Sequence, residues 1–330
     1  MARWTTPSRL TSRVPAWLVI LPALCSAGCH TGPSEPNRPL GSDRVAATIA
    51  VPGGAYGIDV AANGAVYATL LTASSLVRIS LSTLSVVRTV PVGNTPTGVA
   101  FSPTGTTAYV TNQSSRSLGL VNVGQDSQVA TIAVHGDPFV TLPSPDGGKV
   151  IVTGNDDSIF VVNAGTQAVS ASLYVGTAPN GLAFNATGTR LYVSNSFGGT
   201  VVEVDPAVPA VLRTVTTGGR PQGLAVSRDG AELYVANEVG WLEVRSIATF
   251  ARLDSIPLAG AAFGLARSPD DAVLYVSLHD VGEVVVVNRA TRQVIKTLDT
   301  GGAPRRIAFT ADSRTAVIAN LAGWVDVVER

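Results

Sequence analysis

One pattern repeats along the chain seven times. Its landmark is a short aromatic or branched run: YATL at 67–70, YVTN at 109–112, IVTG at 151–154, YVSN at 192–195, YVAN at 234–237, YVSL at 275–278 and VIAN at 317–320. Successive starts lie 42, 42, 41, 42, 41 and 42 residues apart. A steady period of this length means a propeller or solenoid, in which each unit buries its apolar faces only against its neighbours.

The units share an internal order. A short strand such as GVAF (98–101) or GLAF (181–184) leads, and a turn such as SPTG (102–105), SPDG (144–147) or SRDG (227–230) follows. The landmark strand comes second, an alternating strand such as TVVEVDP (200–206) third, and a strand such as VIKTLDT (294–300) fourth. Pro, Asp and Gly provide the backbone angles tight turns need, and strands of this length joined by such turns form an antiparallel sheet. The leading strand carries Gly57, Gly98, Gly181, Gly223 and Gly264 in one register, and Ala100, Ala183, Ala225, Ala266 and Ala308 two residues on. Glycine weakens a strand, so its recurrence there signals crowding, as where strands converge on an axis. The expectation is a seven-bladed β-propeller, all-β, with four-stranded antiparallel blades.

The last unit supplies three strands and then the chain stops at Arg330. The missing fourth is found at the other end. VAATIAV at 45–51 has the fourth-strand pattern, is nearly repeated as VATIAV at 129–134, and has no partner before it. Strand 45–51 is therefore expected to complete the last blade and close the ring, removing a bare edge. The whole pattern, with YVTN itself at 109–112, resembles the YVTN-repeat family of seven-bladed β-propellers, and the resemblance covers all seven units.

Ahead of the repeats, Arg3, Arg9 and Arg13 precede the apolar run VPAWLVILPAL (14–24) and the small residues before Cys29. Residues 1–28 read as a signal peptide. The ending resembles a bacterial lipobox, with Ser26 where Leu is usual, making Cys29 the acylation candidate and export to the cell envelope the expected destination. Residues 29–44, rich in Pro, Gly and polar side chains, suit a flexible tether, leaving 45–330 for the propeller. Both cysteines, Cys25 and Cys29, lie in or at the leader, so no disulfide or thiolate metal site is expected in the propeller. The chain has 23 basic and 23 acidic residues; without 1–28 it has 20 and 23, a charge of −3 that counts against nucleic acid as partner.

In such a ring the loops into the first strands and those after the second strands open on one face. The first set places one variable position round the axis: Tyr56, Thr97, Phe139, Asn180, Gln222, Phe263 and Arg305. A varying position on a constant scaffold suits a ligand-binding channel mouth, for a peptide, a glycan or a partner protein; the competing reading is a plug. The second set holds Asn112, Asn195, Asn237 and Asn320, expected to close turns, and the acidic or imidazole residues Asp156, Asp157, Glu238, His279 and Asp280. Of these, Glu238, His279 and Asp280 are the weak metal candidates. Lactonases and virginiamycin lyase share the seven-bladed fold, yet no G-x-S-x-G elbow, phosphate loop or dinucleotide fingerprint is present. The reading is thus a monomeric, exported, non-enzymatic binding or scaffold protein without cofactor, lipid-anchored if Cys29 is acylated. A metal-assisted lactonase-like or lyase-like enzyme and a single-stranded DNA binder are the alternatives.

Overall fold

The computed structural model describes residues 40–330; the expected signal peptide, Cys29 and most of the tether lie outside the described residues. The described chain forms 28 strands, numbered β1 to β28 in chain order. They group into seven four-stranded antiparallel sheets, and in six of them the strands follow one another in sequence. The first strand of each blade lies on the axis: β2 (Ala55–Val60), β6 (Pro96–Phe101), β10 (Pro138–Pro143), β14 (Pro179–Phe184), β18 (Pro221–Val226), β22 (Ala262–Arg267) and β26 (Pro304–Phe309). Each packs on the next, and β26 packs on β2, so the ring is closed.

The seventh sheet is assembled from both ends of the chain, in the order β1–β28–β27–β26, where β1 is Arg44–Ala50, β27 Thr315–Asn320 and β28 Trp324–Glu329. Ile49 stands opposite Val325 and Thr48 opposite Asp326. The strand begins one residue earlier than the sequence pattern suggests, and Val51 N–H continues the pairing to Gly323 O at 2.9 Å. A register shift between Val45 and Ala47 matches the shift at the equivalent place in the other six blades. β1 is thus built as a fourth strand down to its irregularity. Just ahead of it Asp43 is buried, accepts a hydrogen bond from the Tyr275 hydroxyl and lies 3.7 Å from Arg330. Contacts with the ring therefore begin before the strand itself.

There is no single core. Among the described residues the buried hydrophobic side chains fall into seven clusters, each shared by two neighbouring blades. The cluster holding Ile49, Val325 and Val327 also contains Ile58, Ala68 and Val77, and so joins the last blade to the first. Alternation along each strand supplies one apolar face to each neighbour, as the repeat requires.

The inner glycines explain themselves by distance. A Cβ on Gly181 would lie 2.0 Å from Gln222 O of the next blade, one on Gly264 2.0 Å from Arg305 O, and one on Gly57 2.6 Å from Thr97 O. The next blade's backbone occupies the space a side chain would need. Val140 and Arg306 take this register in the third and seventh blades.

Candidate functional site at the channel mouth

The landmark tetrapeptide positions the mouth, residue by residue. In every blade the ladder between first and second strands is irregular near its mouth end, as between Ala262 and Leu265. That leaves the third residue's N–H outside the ladder, and a hydroxyl from the second strand meets it. Gly264 N–H donates to Ser277 Oγ at 2.7 Å, Gly181 N–H to Ser194 Oγ at 2.7 Å, Gly98 N–H to Thr111 Oγ1 at 2.8 Å and Gly57 N–H to Thr69 Oγ1 at 2.8 Å. The same hydroxyls then donate to the next blade: Ser277 to Arg305 O at 2.7 Å, Ser194 to Gln222 O at 2.6 Å, Thr111 to Phe139 O at 2.9 Å. The Thr or Ser of the landmark is therefore a staple between adjacent inner strands. The fifth and seventh blades carry Ala236 and Ala319 there instead.

The Asn that follows braces the mouth loops. Asn237 accepts from Arg220 N–H at 2.8 Å and donates to Gly218 O at 2.9 Å; Asn320 repeats this with Ala303 N–H at 2.9 Å and Gly301 O at 3.0 Å. Asn112, Asn195, Asn237 and Asn320 are all fully buried; Asn195 donates to Val175 O at 2.8 Å, so Asn195, Asn237 and Asn320 bond backbone as expected, whereas Asn112 donates to the Ser117 hydroxyl at 3.3 Å. In the sixth blade Leu278 replaces the Asn, and Asp280 takes over its task by accepting from Ala261 N–H at 2.7 Å. Asp157 braces the fourth blade in a similar way, accepting from Ala178 N–H at 3.0 Å.

The seven variable positions sit differently from their expected place in the loops. Each is the second residue of a first strand, because the ladder resumes beyond the irregularity with pairs such as Pro179 and Asn195. Pro is tolerated at this first strand position, which hid the strand's true start. From there the side chains meet across the axis. The Tyr56 ring packs edge-on against Phe139 and Phe263, with centroids 5.6 and 6.0 Å apart, although these residues belong to the first, third and sixth blades. Asn180 donates to Gln222 Oε1, and Arg306, three blades from Asn180, donates to its Oδ1. Thr97 turns to the wall, donating to Phe139 O at 2.8 Å. Arg305 lies over the rings of Phe263 at 4.9 Å and Tyr56 at 5.5 Å. Thr97, Asn180, Gln222 and Phe263 are buried, whereas Tyr56, Phe139 and Arg305 stay partly open.

Two participants join this set from outside it. Arg306 stands where five blades have glycine, and that break in the pattern was its sequence signal. Its guanidinium lies 5.0 Å over Phe263, and burial lowers its pKa from the ordinary value, with repulsion from Arg305 adding to the effect. His279 packs against Phe263 at 5.8 Å and places Nε2 3.5 Å from Glu238 Oε1. Glu238 also faces Arg220 at 3.0 Å; burial works to raise its pKa, but bonding to His279 and Gln222 and the Arg220 charge hold it below the usual value. Burial pushes the Tyr56 hydroxyl up, so it stays protonated.

Glu238 and His279 are thus brought together, while Asp280 is turned away to Ala261. Among the described residues no group of three or more His, Cys, Asp and Glu side chains could hold a metal ion. Beyond the mouth, where the first strands end, a hollow of about 340 Å³ opens between the third and sixth blades, walled by Leu142, Leu182, Phe184, Leu224 and Leu265.

No protein-family model matches the chain, and no curated protein matches it. Among solved structures it is similar to the Kuenenia stuttgartiensis hydrazine synthase, with a TM-score of 0.78 at 19% identity over 85% of this chain and 96% of that one. At that identity the likeness is one of fold. The chain is a seven-bladed β-propeller.

Proposed function

We propose that the protein is an exported, non-enzymatic binding module of the YVTN-repeat type, held at the cell envelope through Cys29, that recognises a peptide, glycan or partner protein at the channel mouth. One observation carries this reading. Seven side chains of six residue types, one from each blade, share a single register on the axis, while staples and Asn braces hold most of the blades around them. Three of them, Tyr56, Phe139 and Arg305, remain reachable from solvent. Variation at one position of a rigid frame, with three of its members open to solvent, is how a scaffold is adapted to a ligand.

The surroundings do not favour catalysis. Glu238 and His279 are the only proton-transfer pair in contact among the expected candidates, and Glu238 is tied to Arg220. The charge of −3 outside the leader counts against single-stranded DNA. The test is a pull-down from the native envelope with the parent protein and a Tyr56→Ala, Phe139→Ala, Arg305→Ala variant shown to be folded. Loss of the captured partner in the variant supports the reading; equal capture by both removes the mouth from it.

A further inference from the structure

Arg305 and Arg306 put two adjacent guanidinium groups at one end of the channel. Arginine stays charged in proteins, and a cation withdrawn from water is costly unless an anion faces it. Among the described residues neither Arg305 nor Arg306 forms an ion pair. The hydrogen bond from Arg306 goes to a neutral amide, Asn180. Arg305 Nε is buried with no hydrogen-bond partner, although the rest of the side chain is partly open. Of the acids in the mouth loops, Glu238 is matched by Arg220, while Asp157 and Asp280 accept from the backbone N–H groups of Ala178 and Ala261. The two guanidinium groups nearest the axis are therefore not balanced by any paired acid.

A chain of contacts leads from this pair to the rim. Phe263 lies under both guanidinium groups and against His279; His279 faces Glu238, Glu238 faces Arg220, and Arg220 lies 4.8 Å over the Phe197 ring. On the rim, Phe197, Val239 and Val281 are 68%, 50% and 47% exposed and come from three consecutive blades. At the position of Phe197 and Val239 the first three blades carry Thr72, Ser114 and Asp156, and the sixth carries Asp280 next to Val281. The large exposed apolar side chains of these loops thus come from the fourth to sixth blades, an asymmetry the repeat does not require.

We propose that the mouth takes a carboxylate carried on an apolar body, with the anion between Arg305 and Arg306 and the body laid over Phe263 toward Phe197, Val239 and Val281. A guanidinium fork matches a carboxylate in two parallel hydrogen bonds, and the aromatic rings give the carbon body a dry floor. This rests on the mouth being the binding face, and it names the chemistry recognised there. A free aromatic acid and the C-terminus of an apolar peptide both have it.

The test is calorimetric titration of the full chain with N-acetyl-phenylalanine, its amide, acetate, inorganic phosphate and an apolar tetrapeptide ending in phenylalanine with a free C-terminus. The acid is expected to bind about tenfold or more tightly than its amide, acetate or phosphate, the ratio a lost charge-assisted pair gives. Arg305→Gln should lose at least that factor, and Arg305→Lys, which keeps the charge without the fork, should fall between. A tetrapeptide tighter than the acid assigns a peptide terminus, and a weaker one assigns a free acid; both uphold the carboxylate. Equal binding of acid and amide, phosphate matching the acid, or parent-like affinity in both Arg305 variants overturns the proposal. Envelope capture that depends on the mouth, without any carboxylate preference, would sink this assignment alone and leave the binding face standing.

Discussion

Replacing Ser277 by Ala isolates the staple between the sixth and seventh blades. Ser277 is fully buried, and its hydroxyl accepts from Gly264 N–H and donates to Arg305 O, both at 2.7 Å. The methyl group of Ala fits the same space, so the change leaves packing alone and strips partners from two backbone groups. An unsatisfied buried donor or acceptor costs about 1–3 kcal/mol, so the pair should cost roughly 2–4 kcal/mol. For a ring of this size that corresponds to a fall in Tm of about 4–8 °C. Tryptophan fluorescence during thermal and urea unfolding reads it directly. Ser277→Thr should be near neutral, because Thr69 and Thr111 do the same work in the first and second blades. Ala236→Ser should gain about 1 kcal/mol by installing a staple that the fifth blade lacks. If Ser277→Ala unfolds within about 0.5 kcal/mol of the parent, the hydroxyl bridge is not what ties the inner strands together, and the account of the landmark fails.

Three further outcomes follow from the geometry. Gly181→Ala brings a Cβ to 2.0 Å from Gln222 O, so backbone must move; a loss of about 3 kcal/mol is expected in urea unfolding, and parent-like stability would contradict the crowding at the axis. Asp326, pushed up to about 6 chiefly by burial against hydrogen bonds from Thr48, Asn320 and Trp324, holds its proton more tightly folded than unfolded. Its contribution is therefore complete below about pH 4 and is lost as pH rises through about 6, a change of at most ~3 kcal/mol. Asp326→Asn, whose amide would donate to the Thr48 hydroxyl in place of accepting from it and still accept from Trp324, should gain on the parent between pH 4 and pH 7 by up to that amount; a difference independent of pH would refute it. A chain starting after residue 51 leaves β28 with a bare edge, and light scattering should show association with loss of cooperative unfolding; a stable monomer would show that the ring does not need β1.

The ring was legible because its signals are periodic. Seven landmarks at a constant spacing set the blade number, the absent fourth strand of the last unit pointed to 45–51, and the glycine register marked the axis. What escaped was whatever depends on a local irregularity. The Thr or Ser of the landmark cannot be read as a staple without the ladder irregularity that frees the glycine N–H, and no residue type announces that irregularity. The same feature moved Tyr56, Phe139 and Arg305 from the loops into strands. Asp280 read as an acidic candidate because its chemistry is visible, while its task, standing in for an Asn two positions earlier, shows only when Ala261 is placed beside it. Arg306 breaks the glycine register but was not among the expected site residues, because its reach to Asn180 spans the axis and has no counterpart in sequence distance.

The blade made from both ends of the chain is the one place where the circle is fastened without a covalent turn between its last two strands. Arg305 and Arg306 belong to that blade, and Tyr56 to its neighbour, with Arg305 already resting on the Tyr56 ring across the boundary. An occupant of the mouth that touches all three would act as a clasp over the fastening. Ligand binding and resistance to springing open at β1 would then be one equilibrium, measurable from either side: the tighter the guest, the slower hydrogen exchange along Arg44–Ala50.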